Sequence, residues 1–163
     1  MPDEAQQMTD VEAAKLAVGL EKDGYELYTN AAKRAKDKGV RYLFEQLAHA
    51  EEKHREKFEG IEQRLLVLDE VPYWNDEEVT DYIRSIVDPG IFPDMTAPFD
   101  DIREVLLYAL KVEQLSVLFY GGVAEHAIHE SAREVFGEIR EEEKKHVVRV
   151  MRAWRKLGSG KED

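Results

Sequence analysis

The chain has 163 residues, with 35 acidic against 23 basic side chains for a net charge of −12, and it contains no cysteine. That length suits one domain with a real hydrophobic core, the missing thiols exclude a disulfide framework, an iron–sulfur cluster, a thiolate zinc site and a cysteine nucleophile, and the negative charge repels nucleic acid and anionic lipid while suiting cations. The start "MPDEAQQMTD" lacks the plan of a signal peptide, and no stretch is apolar over the roughly 18 residues a membrane span needs, so a soluble, cytoplasmic protein is expected.

Apolar residues at helical spacing predict four long helices. The first, about 10–36, carries Ala14, Ala17, Glu21, Gly24, Tyr25, Tyr28 and Ala31 along one face, and Thr9 with Glu12 forms the capping pattern at its start. Gly39 is read as the break before the second, about 40–66, whose stripe is Leu43, Phe44, Leu47, Glu51, His54, Phe58 and Ile61. A connection over about 67–100 holds four of the five prolines and a short helix near 77–87, capped by Asn75 with Glu78. The third long helix, about 102–128, starts at Asp101 with Glu104 and carries Val105, Ala109, Glu113, Val117 and Tyr120. The fourth, about 132–157, starts at Ser131 with Glu134 and carries Phe136, Ile139, Glu143, His146 and Val150, before the tail "GSGKED", which is expected to fray. Two short joins make two antiparallel hairpins, and the long connection suits a crossover that sets the second and third long helices parallel.

The hairpins repeat each other. The differences 113 − 21, 143 − 51 and 146 − 54 all equal 92, as do 120 − 28 and 136 − 44, so Glu, Glu, His, Tyr and Phe recur in register. A duplicated hairpin is the economical reading, and it brings matched residues near a pseudo-two-fold axis. The expected architecture is an all-α four-helix bundle made of one domain over 1–163.

Acid therefore stands at a core position on every stripe. Residues three apart lie about 60° apart around a helix, so Glu51 with His54, and Glu143 with His146, can each reach one point in the core. In "EEEKKH", Glu143 and His146 face inward, while Glu141, Glu142, Lys144 and Lys145 read as the solvated face. Burying four carboxylates around one axis costs several kcal/mol per ion unless cations compensate, and two divalent ions would balance them. Oxygen and imidazole donors without thiolate favour iron or manganese, or a mixed pair, although affinity alone does not exclude zinc or copper. The plan matches that of ferritin-like dimetal bundles, one Glu from each of two helices and a Glu-x-x-His from each of the others. Glu21, Glu51, Glu113 and Glu143 are then the carboxylate ligands, with Glu51 and Glu143 bridging, and His54 and His146 each close one metal. The alternative is a set of buried acids satisfied by tyrosine and histidine without metal.

The segments "LEKDGYELY", "AHAEEKHREKF", "VEQLSVLFY" and "EIREEEKKHVV" resemble the rubrerythrin-like branch of the ferritin-like diiron family over nearly the whole chain apart from the crossover and tail. That resemblance implies a diiron centre reacting with hydrogen peroxide or oxygen, with Glu21, Glu51, His54, Glu113, Glu143 and His146 as catalytic and metal-binding residues. Rubrerythrins usually add a rubredoxin domain with a four-cysteine iron; the cysteine-free chain implies an external electron donor. They also usually carry an extra glutamate where this chain has Ser116.

Three functions follow: an oxidoreductase reducing peroxide or oxygen, a ferroxidase whose substrate is Fe(II), and a metal-dependent structural or sensor module. A homodimer is left open. Tyr28 and Tyr120 are read either as hydrogen-bond donors or electron relays beside the carboxylates or as core aromatics, His126 and His129 as surface residues at a helix end, His49 as solvated, and Trp74 and Trp154 as packing residues. The sequence has no glycine-rich phosphate loop, and nothing in it suggests a hydrolytic triad.

Overall fold

The computed structural model describes residues 7–68, 70–88 and 100–159. These form α1 (Asp10–Arg34), α2 (Lys38–Leu66), α3 (Glu77–Val87), α4 (Ile102–His126) and α5 (Glu130–Gly158), with no strand among the described residues beyond an isolated bridge between Thr9 and Tyr73. Joins of three residues turn α1 into α2 and α4 into α5, so each pair packs as an antiparallel hairpin, and the hairpins meet through α2 with α5 and α1 with α4. The short helix α3 lies against α4. Part of the crossover, residues 89–99, and the tail after 159 lie outside the described residues.

Local chemistry sets the helix starts, at some positions differently from the sequence expectation. Thr9 caps α1, its Oγ1 accepting from the Glu12 amide at 3.1 Å. Gly39 is not the break between α1 and α2; it sits inside the first turn of α2, and the break is made by Asp37, whose Oδ1 accepts from the Val40 amide at 2.9 Å. Arg41 closes the same corner by donating to the Ala35 carbonyl. Asp76 rather than Asn75 caps α3, accepting from the Val79 amide, because the extended backbone at Asp76 aims its carboxylate at that free donor. Asp101 caps α4 as expected, but through Arg103 rather than Glu104.

The start of α5 differs most. Ser131 does not cap it; the helix begins at Glu130 with His129 as the cap residue, whose side chain makes no cap hydrogen bond. The cause is Asp10, which is 0% exposed and accepts from the backbone amides of Ile128 and His129, from the His129 ring at 2.7 Å and from Trp74 Nε1 at 2.8 Å. One buried carboxylate thus ties the start of α1, the crossover and the α4–α5 join together. His129 is therefore no free surface residue, and Trp74 is a donor as well as a packing residue, whereas His49 and His126 are exposed as expected.

The core lies in two apolar clusters. One gathers Met8, Ala14, Ala17, Phe58, Ile61, Phe119, Tyr120, Phe136 and Ile139, and the other gathers Leu27, Tyr28, Phe44, Leu47, Leu106, Ala109 and Val150. Burial of the larger of these, the Leu, Ile, Val, Phe and Met side chains, contributes roughly 1.5–3 kcal/mol each.

Asp10→Ala should cost about 2–4 kcal/mol in urea unfolding, since it leaves several buried donors without an acceptor. Burial alone would raise the Asp10 pKa, but the His129 amide, Trp74 and their neighbours outweigh it and hold it below 3.8. The stabilisation is therefore present above the unfolded value and is lost as pH falls through the lower folded one, so the gap between wild type and Asp10→Ala should narrow between about pH 7 and about pH 2.

Candidate metal centre

All six residues singled out in the sequence converge between the two apolar clusters. Glu21, Glu51, His54, Glu113, Glu143 and His146 are each at most 6% exposed. Helix register explains the meeting. Glu21 and Glu51 stand equally far from the α1–α2 join (34 − 21 and 51 − 38), as do Glu113 and Glu143 from the α4–α5 join (126 − 113 and 143 − 130). Folding each hairpin back on itself therefore puts its two glutamates at one level.

The donor atoms fall into two overlapping sets. Glu21, Glu51, His54 and Glu143 form one, Glu51, Glu113, Glu143 and His146 the other, and within each set the atoms lie within 4.8 Å of one another. Glu51 and Glu143 belong to both. The two imidazoles stack with centroids 5.7 Å apart and turn Nδ1 inward: His54 Nδ1 is 2.9 Å from Glu143 Oε1 and 3.6 Å from Glu21 Oε1, and His146 Nδ1 is 3.0 Å from Glu143 Oε2 and 3.7 Å from Glu51 and Glu113. Tyrosines brace the outer carboxylates reciprocally across the axis, Tyr120 donating to Glu21 at 2.7 Å and Tyr28 to Glu113.

Electrostatics without metal is that of a site short of cations. Burial, then the Glu143 charge, pushes Glu21 and Glu51 well above the usual carboxylate range, and the same causes lift Glu113 to about 8. Glu143 goes the other way: burial opposes its charge, but hydrogen bonds from Glu113, His146 and His54 hold it below the usual range. Burial disfavours charge on the imidazoles too, yet Glu143 raises His54 to about 9, and Glu113 with Glu143 raises His146 to about 10. Protons stand in for metal charge.

The residues fit two divalent ions. Glu21 Oε2 and Glu51 Oε1 are buried without a hydrogen-bond partner, which is costly unless a cation meets them. Gly24 makes the room: a Cβ there would lie 2.7 Å from Glu51 Oε2. The donors are all carboxylate oxygen and imidazole nitrogen, a set suited to iron or manganese.

Three residues had more to do than the sequence reading gave them. Glu142 is half-exposed, but it is not only a solvated residue: its Oε2 reaches His54 Nε2 at 2.5 Å across the α2–α5 contact. It precedes Glu143 by one residue, about 100° around the helix, which puts it at the edge of the α2–α5 contact, where one oxygen meets the neighbouring helix. Gly24 stood on the inward stripe three residues after Glu21, where the missing side chain was the signal. Asp10 lies four residues before Ala14 on that stripe, and an acid there asks for a partner.

Metal-free protein should lose stability as pH rises. Glu21, Glu51, Glu113, His54 and His146 all bind protons more tightly folded than unfolded, so their contribution is full at low pH and declines from the unfolded carboxylate value of 4.5 upward, through about 8 to 10. Thermal melts of chelator-treated protein between about pH 6 and about pH 9 should show a falling midpoint. Loading with Fe(II) or Mn(II) under argon should flatten that slope, because the cation replaces the protons. A midpoint that rises over this range without metal would contradict the charge assignment.

Comparison with known proteins agrees with this construction. The Rubrerythrin family model matches residues 2–83. Among solved structures, a hypothetical protein from Pyrococcus furiosus is similar with a TM-score of 0.74 at 17% identity, covering 96% of this chain and 94% of that one. A protein from Thermotoga maritima described as ferritin-like and diiron-carboxylate gives 0.70 at 20% identity, covering 91% and 96%. A two-domain protein from Anabaena variabilis, with DJ-1/ThiJ/PfpI-like and ferritin-like domains, gives 0.69 at 18% identity, covering 91% of this chain and 39% of that one. No curated protein sequence matches the chain. With its all-α, ferritin-like bundle and a family match across half its length, the chain belongs to the rubrerythrin family.

Proposed function

We propose that the protein is a dimetal oxidoreductase, with iron the favoured metal and manganese second, that reduces hydrogen peroxide or oxygen using electrons from an external donor. The observation that carries this reading is the pair of overlapping donor sets sharing Glu51 and Glu143 in a dry layer of the bundle. Glu21, Glu51, His54 and Glu143 would hold one ion, and Glu51, Glu113, Glu143 and His146 the other. Two redox-active ions held there would supply the two electrons that, with two protons, convert one peroxide into two waters.

The protein's own groups supply the rest. Tyr28 and Tyr120 fix Glu113 and Glu21 by donating to them, and they are the hydroxyl donors bonded to the donor carboxylates. In the metal-free site Glu113, lifted to about 8 by burial and the Glu143 charge, holds a proton at neutral pH, and a bound cation would replace it. Phe58 and Phe136 on one side and Phe44 on the other pack against these tyrosines and keep water from the layer.

Metal counting tests the donor assignment. Glu51→Ala and Glu143→Ala should each lower occupancy at both positions, whereas His54→Ala and His146→Ala should leave about one ion bound. Gly24→Ala should resemble Glu51→Ala, because its Cβ displaces that carboxylate. The exposed Glu141→Ala and Lys145→Ala should retain two ions per chain. Full two-metal loading of Glu143→Ala would defeat the assignment.

Anaerobic Fe(II)-loaded protein mixed separately with peroxide and with oxygen tests the activity. Oxidation of about two irons per chain, faster than free Fe(II) and followed by re-reduction with an added donor, is the expected result. Continued oxidation of added Fe(II) far past that stoichiometry would assign the chain as a ferroxidase instead. Oxidation no faster than free iron, with a metal-dependent change in association, would make it a structural or sensor module.

A further inference from the structure

One departure from the duplication that builds the centre lies beside a histidine. The residue before the shared glutamate is Glu142 on α5 but Ala50 at the matching place on α2 (142 − 50 is again 92). Glu142 Oε2 meets His54 Nε2 at 2.5 Å, and its other oxygen lies 3.8 Å from Lys57 Nζ. Ala50 has no side-chain oxygen to offer, and the ion pairs of His146 with Glu51, Glu113 and Glu143 all run through Nδ1.

We propose that Glu142 is a positioning residue for His54, strengthening the metal position built on His54 and not the one built on His146, an inference that rests on the dimetal reading above. A carboxylate can only accept, so Glu142 keeps a hydrogen on His54 Nε2; once a cation replaces the Nδ1 hydrogen that His54 donates to Glu143, the Nδ1 lone pair would be the one turned to the ion. The bond also fixes the ring's rotation, and an acidic partner makes the ligating nitrogen more basic. Lys57 holds the far oxygen of Glu142, so the string runs Lys57, Glu142, His54 and then the centre. His54 is 1% exposed while Glu142 is 44% exposed on the wall of a groove lined also by His49, Lys53 and Lys57. Glu142 can therefore be truncated without leaving a hole in the core.

Titration of the metal-free full chain with Co(II), followed by its visible absorption and by calorimetry, tests the proposal. Wild type should take up two ions, and His54→Ala identifies the step that belongs to the His54 side. Glu142→Ala should weaken that same step by about 10–100-fold and leave the other within about two-fold, with the Co(II) bands of the affected position altered. Glu142→Gln, which keeps an acceptor oxygen, should recover most of the loss. Adding Glu142→Ala to His54→Ala should weaken binding no further. Unchanged affinities, equal losses at both steps, or full additivity with His54→Ala would overturn the positioning role while leaving the dimetal reading in place. Fewer than two ions bound by wild type would overturn the dimetal reading itself.

Discussion

Four carboxylates and two imidazoles buried at one level of a helical bundle are the constraint on which the rest of this protein depends. An unpaired buried ion costs several kcal/mol, so the layer holding Glu21, Glu51, Glu113 and Glu143 must be neutralised from within. The apolar core is divided around it into two clusters, each closed by aromatics that press on the tyrosines bracing the outer glutamates. Without metal, the neutralising charge comes from protons: histidines raised to about 9 and 10, glutamates raised by burial, and Glu143 alone held low because both imidazoles and Glu113 donate to it. Those same groups could serve cations as a donor set.

Duplication explains how such a layer can be specified economically. One hairpin supplies a glutamate from one helix and a Glu-x-x-His from the next, equally far from a short join, and the second copy completes the charge balance. The reciprocal bonds of Tyr28 to Glu113 and of Tyr120 to Glu21 cross between the copies, so neither hairpin finishes its own half. Departures from the repeat mark where the copies took different tasks. Gly24 corresponds to Ser116, Ala50 to Glu142, and Asp10 to Ile102. Gly24 yields space to Glu51, Glu142 orients a histidine, and Asp10 fastens one end of the bundle.

That fastening matters for the centre at a distance. The two hairpins touch each other less extensively than the helices within each hairpin do. Asp10 joins them at the end where α1 begins and α4 turns into α5, and Trp74 brings the crossover to the same point. A carboxylate saturated by backbone amides is rigid in a way an apolar contact is not, because each bond fixes direction as well as distance. The relative register of the hairpins, and with it the level at which the four glutamates meet, is held partly from there.

The sequence by itself determined the helices, their pairing and the six inward donors, because helical period, the 92-residue repeat and acid on an apolar stripe are properties of order along the chain. It also pointed to the family, through four short segments that carry those donors. Tertiary structure alone decided what depends on neighbours from the other hairpin. Glu142 looked solvated since its own helix turns it outward, and only the approach of α2 gives it His54. Ser131 had the chemistry of a cap, but Asp10, more than a hundred residues away in sequence, fixed the backbone so that α5 starts earlier. Gly39 looked like a break, and Asp37 with Arg41 made the corner instead. Local pattern fixes which face of a helix is buried; which atom meets which across the interface depends on how the helices are set against each other, and no single helix contains that information.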